Sequence, residues 1–106
     1  MSANIGMSGT LGGYGETTDA TEETQMLCDQ VKTAVEEKTG KCVDEFKATK
    51  YRSQVVHGIN FLIKVHVGGE NYIHLHVFRA LLCDGGLIQL VAVEQHKTKD
   101  DPLEPF

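Results

Sequence analysis

The sequence is poor in the features that most function classes require. No apolar run approaches the roughly 18 residues of a membrane-crossing helix. There is no excess of positive charge: ten Lys and Arg stand against fifteen Asp and Glu, a net charge of −5. Non-specific binding to nucleic acid or to an anionic membrane is therefore not expected. The three cysteines, Cys28, Cys42 and Cys83, are odd in number and widely spaced. Within one chain they form neither a disulfide framework nor a CxxC zinc site, and a reducing cytosol is the expected home. The start, Met1-Ser2-Ala3-Asn4-Ile5-Gly6, lacks the basic and apolar regions of a secretory signal, and Ser2 stands where myristoylation needs glycine. No Gly-rich phosphate loop, GxSxG elbow or HExxH occurs. Neither an enzyme nor a resident cofactor is expected.

What is present fits one small domain of 106 residues, long enough for a single modest core. Four of the acids (Glu16, Asp19, Glu22, Glu23) lie within residues 1–25, which hold no base, so most of the net charge sits there. Residues 1–20 are rich in Gly, Ser and Thr and read as a flexible arm. After Thr21 or Thr24 as N-cap, Leu27, Val31, Ala34 and Val35 recur at helical spacing, and Gly40 is a natural stop. One helix over roughly 21–38 follows.

Beyond Gly40 the period is that of strands. Phe46 and Ala48 alternate in even phase, then Tyr51, Ser53 and Val55 in odd phase, so a bulge is expected near Thr49-Lys50. Ile59, Phe61, Ile63, Val65 and Val67 form one apolar face, continued by Ile73, Leu75 and Val77 after Gly68-Gly69-Glu70-Asn71. Both runs share a side only if paired positions sum to an even number, which selects a loop of three or five residues. Asp84-Gly85-Gly86 marks another turn before a last strand, Leu87–Gln95, and a polar tail ends in Phe106. The expected fold is α+β, one long helix packed on a four- to five-stranded antiparallel sheet.

Two constellations stand out. The even-sum register puts His66 directly across from His74, which places His66, His74 and His76 on one wet sheet face. Three imidazoles are copper or zinc ligands in principle, but no fourth ligand has the right spacing, and no metal site is assigned. In Gln54-Val55-Val56-His57-Gly58, two adjacent valines precede a glycine turn. They cannot both face the core of an alternating strand, so at least one is exposed at a hairpin tip, where an apolar patch points to a partner.

That segment resembles the QxVxG motif of the cystatins. Phe46-Lys47-Ala48, Ser53, Ile63-Lys64-Val65-His66-Val67-Gly68, His74-Leu75-His76-Val77-Phe78, the helix segments Asp29-Gln30-Val31 and Glu36-Glu37-Lys38, and the end Lys97-Thr98-Lys99-Asp100-Asp101 with Phe106 are similar to the stefin branch, the type 1 cystatins. The resemblance runs from about Gly12 to Phe106. It implies a cystatin-like domain over 12–106 behind a flexible extension, 1–11. It also implies an intracellular, reversible, tight-binding inhibitor of papain-like cysteine proteases such as cathepsins. The protease-binding wedge implied has three parts: Gly12 and Gly13 in the arm, Gln54, Val55, Val56, His57 and Gly58 in the first hairpin, and Leu81, Leu82 and Cys83 in the second. Three departures from the family pattern are visible: His57 replaces a small residue, Leu82 replaces the usual proline, and eleven residues precede Gly12. A monomer is expected. The alternative is a self-assembling or structural protein formed by domain swapping about the first hairpin.

Overall fold

The computed structural model describes residues 13–106; the extension 1–11 and Gly12 lie outside the described residues. The helix α1 (Glu22–Thr39) begins at Thr21, whose hydroxyl accepts the Thr24 N–H at 3.2 Å, while the Thr24 hydroxyl accepts the Thr21 N–H at 2.7 Å. This reciprocal cap satisfies two otherwise unpaired groups, and Glu22, Glu23 and Lys38 oppose the helix dipole. Thr24, Leu27, Cys28, Val31 and Val35 make the buried stripe. Gly40, at φ 74°, closes the helix with its N–H on the Glu36 carbonyl at 2.8 Å.

Among the described residues five antiparallel strands lie in sequence order: β1 (Thr18–Asp19), β2 (Lys47–Val56), β3 (Gly58–His66), β4 (Tyr72–Arg79) and β5 (Ile88–Lys97). The last strand thus starts one residue later and ends two residues later than the alternation indicates. The bulge falls where the phase slips, between Ala48 and Lys50, so that Ala48 opposite Val65 and Tyr51 opposite Ile63 share the helix-facing side. Thr49 donates its hydroxyl to the Lys64 carbonyl there, at 3.1 Å. The Gln25 amide reaches from the helix to donate to the Phe46 carbonyl and accept the Ala48 N–H, both at 2.9 Å. Phe61, Ile63, Val65, Ile73, Leu75 and Val77 then pack under the helix stripe as one core.

Residues 67–71 connect β3 to β4, and the paired positions sum to an even number as the shared face requires. The register nevertheless differs from the one that would align the histidines: His66 faces Tyr72, and His74 faces Lys64. His66 stacks on Tyr72 with ring centres 4.8 Å apart and pairs with Glu45. Among the described residues, no group of three His, Cys, Asp or Glu side chains forms that could hold a metal.

The second sheet face is not wet. Leu62, Lys64 and His74 are buried on it, beneath the C-terminal tail. The Lys64 ammonium donates to the carbonyls of Lys99 (2.5 Å) and Asp101 (2.6 Å), and the Arg52 guanidinium donates to that of Leu103 (2.6 Å). The Leu103 side chain is itself buried, and the Phe106 ring meets His76 edge-on at 6.3 Å. The tail, which reads as a polar extension, is therefore a strap. Residues 13–20 are likewise docked rather than free: Thr18 pairs with Tyr51, and the N–H groups of Gly15 and Ala20 donate to Ser53 and Thr49.

Burial beneath the strap, helped by the Lys64 charge, lowers the His74 pKa from 6.5 to about 4. Above pH 6.5 His74 is neutral in both states and its contribution is complete. As pH falls, the unfolded chain takes a proton that the folded chain refuses, so stability drops between about pH 6.5 and 4. Urea unfolding at pH 7 and pH 5 is expected to show a loss of roughly 2 kcal/mol that His74→Gln removes. Equal losses in both proteins would contradict this. Leu103→Ala is expected to cost about 2–5 kcal/mol at either pH, read from the same curves.

Candidate functional site

The topology brings three segments to one end of the sheet. Ile59 pairs with Arg79, so the β2–β3 reversal at His57 and the β4–β5 connection, 80–87, lie side by side. Because β1 runs antiparallel to β2, the chain before Thr18 tracks along Ser53 towards Val55 and Val56 and carries Gly13 to that same end. Gly12 lies outside the described residues.

The first hairpin is held tight by Gly58. Its φ is +116°, and a Cβ there would stand 2.6 Å from the Phe78 ring and 2.7 Å from the Arg79 carbonyl. Only glycine allows both this backbone angle and this close approach of β3 to β4. With Gly58 buried, Val55 and Val56 face outward together, Val55 being 69% exposed. His57 is exposed at the tip. Gln54 points along the strap face, where its amide oxygen accepts from Asn60 at 3.0 Å; Asn60 in turn bonds His76. Gln54 thus braces the hairpin. At the base, Arg79 pairs with Glu23 of the helix and lies 5.4 Å over the Phe61 ring.

The second connection is a short 3-10 turn, Leu82–Asp84, closed by the left-handed Gly85 and Gly86, whose N–H groups return to the Leu82 and Leu81 carbonyls. Leu82 is 92% exposed, and Leu81 and Cys83 are exposed beside it. Leu81 has φ −64° and ψ 153°, the extended geometry that a following proline would impose. The backbone at Leu81 is thus compatible with a proline at position 82, where this chain has leucine. Leu87, 73% exposed across the turn, is an apolar member that the sequence reading passed over. The signal was there: Leu87-Ile88 opens a strand with adjacent apolar residues, the same argument that exposed Val55-Val56.

The chemistry of this end is that of a docking surface. Its tips are apolar, and Gln54 and Arg79 are tied into bracing contacts. Cys28, the one buried thiol, is pushed up to about 12 by burial, so it carries no useful thiolate. On the arm, Tyr14 is raised by burial, with the Arg52 charge opposing the shift.

The two glycine turns make a controlled pair. Gly58→Ala is expected to destabilise the fold by about 3 kcal/mol or more, because strain and overlap add. Gly85→Ala, with φ +97° but open space around it, is expected to cost only about 1 kcal/mol. Urea midpoints of the two variants check this, and equal losses would contradict it.

A family model described as cystatin domain matches residues 12–99. The chain is 43% identical over 100 residues to cystatin-B of Oplegnathus fasciatus, covering 94% of this chain and 100% of that protein. It is 47% identical over 95 residues to leukocyte cysteine proteinase inhibitor 1 of Sus scrofa, covering 90% and 92%. To stefin-C of Bos taurus it is 44% identical over 96 residues, covering 91% and 95%. One of these names states inhibition of cysteine proteinases, and the self-assembly alternative finds no support among them. Among the described residues no helix is long and apolar enough to cross a membrane. The chain belongs to the cystatin family, whose members are cysteine protease inhibitors and not enzymes, and within it to the stefins.

Proposed function

We propose that the end of the sheet bearing His57 and Leu82 is a wedge that fills the cleft of a papain-like cysteine protease, on both sides of its nucleophile. The observation that carries this reading is the joint exposure of Val55, Val56, Leu81 and Leu82 on turns braced by Gly58, Phe78, Gly85 and Gly86. An apolar edge already ordered before docking loses little conformational entropy when it binds. Gln54, Val55, Val56, His57 and Gly58 supply apolar contact and backbone hydrogen bonds at the centre. Leu81, Leu82 and Cys83 add burial on the leaving-group side, and Leu87 extends that patch. Gly12 and Gly13 lie over the acyl side as a strap that slows dissociation. No peptide bond of the wedge is offered in attack geometry, so no acyl-enzyme forms and the inhibitor is not consumed.

Proteases of the cathepsin type are the proposed partners, the cytosol the proposed location and the monomer the proposed state. The unpaired thiols of Cys28, Cys42 and Cys83 support a reducing compartment.

Inhibition constants against papain test the reading. Val56→Asp is expected to weaken inhibition by a hundredfold or more, since a carboxylate must be desolvated in the cleft, and Val55→Ala by about tenfold. Deleting residues 1–11 is expected to change the constant little, and deleting 1–14 to weaken it clearly. Unchanged inhibition by Val56→Asp would rule out the first hairpin as the wedge's centre, and equal inhibition by the two truncations would rule out the arm.

A further inference from the structure

Arg52 belongs to none of the three wedge segments, yet it holds one of them. Its side chain leaves β2 on the strap face, opposite Leu62. Nε donates to the Gly15 carbonyl at 2.8 Å, Nη1 donates to the Leu103 carbonyl at 2.6 Å, and the guanidinium carbon lies 5.8 Å from the centre of the Tyr14 ring. One planar cation therefore ties the N-terminal arm, the sheet and the C-terminal strap together. The Gly15 N–H is fixed independently, on the Ser53 carbonyl at 2.9 Å. With donor and acceptor both engaged, the Gly15 peptide groups are pinned, and so is the direction in which the chain continues towards Tyr14 and Gly13.

We propose that Arg52 is a positioning residue for inhibition: it pre-orders the arm for the protease and makes the C-terminal strap contribute to binding without touching the enzyme. The inference rests on the reading of the arm as part of the wedge. A glycine-rich segment loses much backbone freedom on docking, and a fixed root reduces the number of residues that must be ordered at that moment. The benefit appears in the lifetime of the complex rather than in the encounter. Arginine suits the position better than lysine: the planar fork spans from the arm carbonyl to the strap carbonyl while its face lies by the Tyr14 ring, which a compact ammonium does not do.

The test measures association and dissociation rates with papain for the full chain and for the chain lacking residues 1–14, each with Arg52, Arg52→Lys and Arg52→Gln. In the full chain both substitutions are expected to speed dissociation about five- to tenfold and to change association less than twofold. In the truncated chain, where dissociation is already fast, they are expected to add nothing. Order parameters from ¹⁵N relaxation at Gly13 and Gly15 are expected to fall in Arg52→Gln. If truncation speeds dissociation but Arg52→Gln does not, or if Arg52→Gln acts equally in both chains, the inference is overturned while the arm's role stands. If truncation itself changes nothing, the arm reading and the inference fall together.

Discussion

The space beside Gly58 is already filled. The Phe78 ring and the Arg79 carbonyl stand where a side chain would begin, and the backbone there holds φ +116°. This one constraint turns β2 back on itself with only His57 at the tip and presses the start of β3 against the end of β4. Because β4 runs straight on into the Leu81–Leu82 turn, the same contact sets the second apolar tip beside the first. Val55 and Val56 are outward-facing for the same reason: the reversal comes too soon for the strand alternation to bury either. Apolar side chains kept in water cost stability. The proposed docking gives their exposure a use, since a protease cleft would bury that area.

The rest of the domain makes such exposure tolerable. A chain of this length has a small core, and this one uses both faces of its sheet. Helix α1 covers one face with Leu27, Cys28, Val31 and Val35. The strap covers the other with a single leucine and a set of backbone carbonyls. Lys64 is the notable member: its ammonium is buried, its pKa is lowered chiefly by that burial, and two strap carbonyls accept its protons. A charge so placed holds the strap strongly, because releasing the carbonyls would leave the cation unpaired under the tail. Arg52 repeats the device nearer the wedge and joins strap to arm.

Much of this was legible in the residues alone. The helix and its C-cap follow from the stripe of Leu27, Val31 and Val35 and from Gly40, with the N-cap narrowed to Thr21 or Thr24, of which the structure uses Thr21. The bulge follows from the phase change between Ala48 and Tyr51. Adjacency requires one of Val55 and Val56 to be outward; that both are follows from the tight reversal at Gly58. Parity correctly assigned the faces of β3 and β4, yet parity admits any even shift. It could not choose between His66 opposite His74 and the observed His66 opposite Tyr72. The strap was illegible for a different reason. It docks through the carbonyls of Lys99, Asp101 and Leu103, and a carbonyl is present at every residue, so it leaves no trace in a hydropathy pattern. The docking of residues 13–20 and the grip of Arg52 on Gly15 were hidden in the same way.

The account stands on the wedge being an obstacle and not a substrate. Active-site titration of papain with the full chain, followed by mass measurement of the recovered inhibitor, tests that most directly. The account predicts a one-to-one end point, relief by competing substrate, and an intact chain after prolonged incubation. A chain cleaved within Gln54–Gly58 or Leu81–Cys83 with papain regaining activity, or a papain that keeps full activity at molar excess, would contradict it.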